Sequence, residues 1–411
     1  MKVIKVLSIL LLLISSNVEA QVIVCQTCEV SSIAEGLELT NETDTLFILK
    51  GEYLEHDLII DKALTIKGED GVIINGEKQG TIIKVRSDNV HLIDFTIMHV
   101  GVSHTNEFAA VHLLESDHFS IENLTIKDTF FGILIEKSDH GMVTGNKVSG
   151  NKELEFYSGN GIHAWHSNYL SIYNNQIKEM RDGIYLEFVD ESQINNNIAT
   201  NNVRYGLHFM FSNNDDYSNN EFSENGAGVA VMFSKFIIMT GNKFHDNWGS
   251  ASYGLLLKEI YDAEITNNEF ERNTIAISVE GTTRVNYLYN DFNSNGWAIR
   301  VSGGCYKNLY SFNNFSNNSF DLAFNSKLND NVFDQNYWSA YNGYDLDKNG
   351  IGDVPYRPVR LFSYLVNKTP ETVVLLRSLF VDLLNFSETV APVFTPVELL
   401  DNQPLMVAHA N

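Results

Sequence analysis

Four Gly-led segments constrain this chain more than any other feature: GIHAWHS from Gly161, GIYLEFV from Gly183, GLHFMFS from Gly206 and GVAVMFS from Gly228. They start 22, 23 and 22 residues apart. Within each, apolar and variable residues alternate, the period of a half-buried strand. A strand that returns at a fixed interval of this size predicts a solenoid with one coil per repeat. The register continues in both directions, with starts at Gly132, Gly254, Ala276 and Ala298. Fourteen residues after each of the first seven starts stands an asparagine: Asn146, Asn175, Asn197, Asn220, Asn242, Asn268 and Asn290. This predicts a ladder of side-chain amides at one corner, where Asn also tolerates the left-handed backbone that a corner needs. A second column, Asn151, Asn202, Asn225, Asn247, Asn273 and Asn295, falls nineteen residues after most starts.

Several short strands per 22-residue turn fit an all-β fold, a right-handed parallel β-helix, over residues 58–335. All six prolines lie at or after Pro355. A proline-free body suits a sheet in which nearly every N–H donates to the next strand. Residues 21–57 read as an N-terminal segment and cap, with a helix near Ser31 to Leu39 and a strand from Thr45 to Leu49. Caps protect the open edges of a solenoid. Residues 336–358 form an acidic, Gly-rich loop. Residues 359–411 form a tail, with a helix over Glu371 to Phe386 and an extended segment to Met406.

Residues 1–20 have the pattern of a signal peptide: Lys2 and Lys5, an apolar run from Val6 to Ile14, and Val18-Glu19-Ala20 before the cut. The expectation is export to the periplasm. The formal charge is -24. So acidic a surface repels nucleic acid and suits metal ions, cationic partners or neutral substrates. Cys25 and Cys28 form a CxxC beyond the cut, open to a disulfide, a metal pair or a redox pair.

In each first strand the second and fourth residues point inward, so the third and fifth point out. One outward column is His163, Tyr185, His208, Ala230, and the next is Trp165, Glu187, Met210, Met232. Met210 and Met232 sit on adjacent turns, with His208 two residues from Met210. Two thioethers and an imidazole make a soft donor set that favours copper, Cu(I) above all. His163 and Glu187 complete the candidate set. Copper bound through His208 would weaken as pH falls through about 6. Arg181-Asp182 and Arg204-Tyr205, one turn apart, read as a corner ion pair. Asp345, Asp347, Asn349 and Asp353 surround Gly350 like the first part of an EF-hand loop, making Ca2+ a second candidate, although Tyr356 stands where that loop needs Glu.

The motifs GNGIHAW at 159, RDGIY at 181, RYGLHFMFS at 204, GVAVMFS at 228, YGLLLK at 253, NYWSAYNGYDLDKNGIGDVPYRPVRLF at 336 and PVELLDNQPLM at 396 resemble the NosD family. The resemblance spans essentially the whole chain after residue 20. It implies a periplasmic copper-binding maturation factor, not an enzyme, that helps build the copper centres of nitrous oxide reductase. It also implies partners: an ABC transporter permease with its cytoplasmic ATPase, and a copper-carrying lipoprotein. The CxxC is outside the family pattern. The competing readings are a carbohydrate-active β-helix, with Asp182, Glu187 and Asp190 as its carboxylates, and a non-catalytic scaffold.

Overall fold

The computed structural model describes residues 21–103, 105–151, 158–325, 330–376, 378–390 and 399–409. The expected signal peptide lies outside the described residues. The chain winds into a parallel β-helix with three faces, sheets of 14, 12 and 13 strands, to which each turn contributes one strand apiece. Inward Ile, Leu, Val, Phe and Tyr fill the bore as a single continuous core. Toward the C-terminal end this filling becomes aromatic, and Phe244, Phe270, Phe292, Phe315 and Trp338 stack ring on ring at 4.1 to 5.1 Å.

The first asparagine column forms the ladder the spacing predicts. From Asn146 to Asn290 and on through Asn313 to Asn336, each Nδ2 donates to the Oδ1 of the next turn at 2.9 to 3.0 Å. Each Oδ1 also accepts the backbone N–H of the preceding asparagine. The side chains are sealed, so every bond saves a buried amide from going unpaired. A second ladder runs from Asn202 through Asn225, Asn247, Asn273 and Asn295 to Asn318. One detail differs from expectation. The left-handed residue of the corner is not the ladder asparagine but the one before it: Gly145, Asn174, Asn196, Asn219, Gly241 and Asn267 all have positive φ. The ladder residue keeps an ordinary backbone and turns its amide inward.

Among the described residues the coil already runs from Gln21, ahead of residue 58. Strand Gln21–Val24 pairs with Thr45–Ile48, which pairs with Thr65–Gly68, so the segment taken for a cap supplies the first turns. Helix α1, Ile33–Leu39, begins with Ser32 accepting from Glu35 N–H, and plugs the open end with Ile33 and Leu37. Gly36 lets it approach: a Cβ there would meet Val24 Cγ2 at 2.6 Å.

The far end is closed differently. Asp401, fully buried, accepts from the backbone N–H of Gln335 and Asn336, from Asn336 Nδ2 and from Trp338 Nε1. An acceptor-only carboxylate thus ends a ladder whose last amide still has protons to donate. The tail carries two helices rather than one, α2 over Leu361–Lys368 and α3 over Leu379–Val390, with a 3-10 turn at Pro370–Leu375 between them. Phe362, Val366 and Val381 bury against Phe320 on the last turn of the 12-stranded sheet.

Asp401→Ala strands several buried donors at once and is expected to cost roughly 3 kcal/mol. Asp401→Asn, which keeps one acceptor oxygen, should cost less. Denaturant melts of the two variants against wild type check both the size and the order.

Candidate metal site on the 12-stranded sheet

The register brings the outward columns together as expected. Trp165 pairs with Glu187, Glu187 with Met210, Met210 with Met232 and Met232 with Lys258. Both methionines are half-buried, on consecutive turns roughly 4.8 Å apart. Parallel pairing with no bulge puts the two Cβ atoms side by side and leaves the thioethers free to converge on a soft ion.

The other expected donors are held elsewhere. His163, Tyr185, His208 and Ala230 do stack in the neighbouring column. His208, however, is only 6% exposed. Tyr185 and Tyr205 each lie with ring centroids 4.9 Å from it, and Tyr253 reaches over Tyr205 with a hydroxyl contact of 3.4 Å. Its Nδ1 faces Asp182 Oδ2 at 3.5 Å. Outward direction and exposure therefore part company here: the residue points away from the bore but lies under a roof of side chains. Glu187 receives the Tyr185 hydroxyl at 3.2 Å. Burial, then the Glu187 charge, pushes that phenol up to about 12. His163 sits two turns from His208, and its Nε2 is sealed without a hydrogen-bond partner. Of the five residues expected at copper, Met210 and Met232 pair across adjacent strands with Glu187 next in the same column, and the two histidines lie in the neighbouring column, His208 two residues from Met210.

The expected corner ion pair forms between the two stacked motifs. Arg204 grips Asp182 through Nε at 2.9 Å and through Nη2 at 2.5 Å. Asp182 is fully buried; burial opposes its ionisation, but the Arg204 hydrogen bonds and the neighbouring His208 outweigh it and hold the carboxyl below its usual range. Arg181 makes no ion pair among the described residues. Sequence reading missed that Asp182 faces His208. The signal was available in the register, since Asp182 and Tyr205 are paired positions on neighbouring strands.

Cys25 and Cys28 are joined by a disulfide. A bridged pair offers no thiolate to a metal. In the acidic loop, Asp345 accepts the N–H groups of Asn349 and Gly350, Asp347 those of Asn349, and Asp353 that of Leu346. These oxygens accept the loop's own N–H groups in an Asx-type turn. Among the described residues, no three His, Cys, Asp or Glu side chains converge as a metal cage, a count that leaves methionine out.

Comparison with known proteins agrees with this architecture. The family described as periplasmic copper-binding protein (NosD) matches residues 152–343, and the right handed beta helix region matches residues 65–215. The chain is 26% identical over 376 residues to the probable ABC transporter binding protein NosD of Stutzerimonas stutzeri, covering 87% of this chain and 85% of the relative. To the Pseudomonas aeruginosa protein of the same description it is 25% identical over 391 residues, with 90% of each covered. Among solved structures, the A-module of the Azotobacter vinelandii mannuronan C-5 epimerase AlgE6 superposes with a TM-score of 0.60 at 12% identity, over 73% of this chain and 92% of that one. PfbA, a surface adhesin of Streptococcus pneumoniae, gives 0.54 at 13% identity, over 73% and 84%. At such identities these two likenesses speak for the fold alone.

Burial, with the Arg181 charge adding to it, lowers the His163 pKa from its ordinary 6.5 to about 4. The folded protein thus binds fewer protons than the unfolded chain between those values. This contribution to stability is complete above about pH 6.5 and is lost as pH falls toward 4, worth at most about 3 kcal/mol. Thermal melts from pH 7 to 4 should show a shallower loss for His163→Phe than for wild type.

Proposed function

We propose that this chain, a relative of the NosD proteins, is a periplasmic copper-binding accessory protein that works beside an ABC transporter in assembling the copper centres of nitrous oxide reductase. The observation that carries this reading is the register pairing of Met210 with Met232 on the outer face of a closed, rigid sheet. Thioethers are weak donors to hard cations and good ones to Cu(I). They do not titrate near neutrality, so a methionine pair holds its charge state across the periplasmic pH range. A site that passes copper on is best left shallow and incompletely coordinated, and a half-buried pair on a sheet face is such a site. Copper here is cargo. A copper-carrying lipoprotein as donor and the reductase as recipient complete the proposed route, with the protein exported by its N-terminal twenty residues.

The transporter partner is supported by the names of the two relatives and by the tail. Helix α3 buries Val381 and leaves Leu379, Phe380, Leu383 and Phe386 between 53% and 74% exposed, beside Val373 and Val374 at 47% and 82% on the preceding 3-10 turn. Among the described residues, no helix is long and apolar enough to cross a membrane. So large an apolar patch marks an interaction surface, and the proposed occupant is the periplasmic side of the transporter permease. In this reading the coil reaches the inner membrane through its partner.

In a Cu(I) competition titration, Met210→Ala combined with Met232→Ala should lose affinity by at least about tenfold with an unchanged melting temperature. Because His208 faces Asp182 and not the methionines, wild-type affinity should vary little between pH 7.5 and about 6, in contrast to the pH dependence expected from sequence. Independently, Leu383→Glu with Phe386→Glu should release the coil from the transporter in co-purification while its melt is preserved. Retained association would move the contact elsewhere.

A further inference from the structure

A second concavity is separate from the methionine pair. It is a groove of about 1110 Å³ on the outer face of the 12-stranded sheet, toward the N-terminal end. Its floor is made of outward residues of successive strands, among them Lys84, His112 and His163. From the strand of Lys84 to the strand that follows Arg204 is five steps in the sheet order, so the groove runs roughly 24 Å along the coil axis.

Its charge runs against that of the molecule. On a chain of net charge -24, three cations, Lys84, Arg181 and Arg204, line the groove, with Glu107 the one carboxylate among its described lining residues. Lys84 is engaged by Asp57 at 2.9 Å and Arg204 by Asp182. Arg181 has no ion pair among the described residues, and its Nε is buried without a hydrogen-bond partner. His163 is the second uncommitted group. The Asn160 amide nitrogen contacts its Nδ1 at 3.4 Å. With this amide nitrogen as the donor, Nδ1 accepts and Nε2 carries the proton. That Nε2 is sealed from water and finds no acceptor among the described residues. Arg181 Nε and His163 Nε2, both without a hydrogen-bond partner among the described residues, at the wall of one groove call for an oxyanion from outside.

The remaining lining decides what carries that oxyanion. Hydroxyl and amide side chains, Thr81, Ser103, Thr105 and Asn106, line it together with the half-buried ring of Phe108 and the largely buried Phe131. The strands beneath have both neighbours paired, so the groove presents no free sheet edge on which an extended peptide could satisfy its backbone. Sugar hydroxyls need no such edge; side-chain oxygens and amides serve them, and rings pack against the apolar faces of pyranoses. We propose that this groove binds an acidic oligosaccharide of the uronate class, its carboxylate on Arg181 with His163 Nε2–H as the second donor. This is a binding site distinct from the copper reading and does not rest on it.

The test is calorimetric titration of the purified full chain with an oligogalacturonate long enough to span the groove. A neutral malto-oligosaccharide and an oligoglutamate of matched length serve as controls. The expected result is saturable binding of the oligogalacturonate alone, weakened at least about tenfold by Arg181→Ala and less by Lys84→Ala, with Arg181→Lys intermediate because it keeps the charge but not the fork. Should Arg181→Ala fail to fold, Arg181→Gln and Lys84→Ala carry the same comparison. No binding, equal binding of the neutral sugar, tighter binding of oligoglutamate, or affinity indifferent to position 181 would overturn the proposal. A failure here leaves the copper titration untouched, and the reverse also holds.

Discussion

Everything on the surface of this molecule depends on the hydrogen bonds between one turn and the next. Parallel strands pair over the whole length of three sheets, and the asparagine ladder repeats the same bond in the side chains. Because each amide accepts from the turn before and donates to the turn after, no turn can slip by one residue without stranding a buried polar group. A slip would also send the inward residues of every following strand to the outer face. The fixed register is what turns positions 22 residues apart in sequence into neighbours roughly 5 Å apart in space. The Met210–Met232 pair exists for that reason and no other.

Such a coil must be stopped at both ends, and the two stops use different chemistry. At the start, helix α1 covers the bore with apolar side chains. At the finish, a single buried carboxylate, Asp401, takes the last protons of the ladder and of Trp338. Asp401 lies 65 residues after Asn336, so the tail must travel past the acidic loop and two helices before it can return. This accounts for the loop's form: Ile351 and Tyr356 bridge Leu405 and Asp401, which holds the returning segment against the last turn. It also leaves helix α3 on the outside with an apolar face that the coil itself does not cover.

The parts legible in the sequence were those set by local repetition. The interval between Gly161, Gly183, Gly206 and Gly228 gave the turn length, the +14 asparagines gave the corner, and the alternation in GLHFMFS gave the facing of each side chain. What stayed hidden was set by distance along the chain. Alternation says that His208 points outward, but whether it is exposed depends on Tyr253, 45 residues later, and on Arg204 drawing Asp182 beneath it. The ladder's terminal acceptor was invisible because Asp401 sits in a tail with no repeat of its own. Irregular spacing near the N-terminus hid the first turns, where Gln21–Val24 joins the sheet without the Gly-and-Asn signature.

The central claim is that two register-paired methionines on the outer face form the copper site. X-ray absorption of the protein loaded with one equivalent of Cu(I) reads the donors directly. The account predicts two sulfur scatterers in the first shell of the wild type and their loss in the Met210→Ala, Met232→Ala protein. A first shell of nitrogen and oxygen alone, or an identical sulfur signal in both proteins, would contradict it.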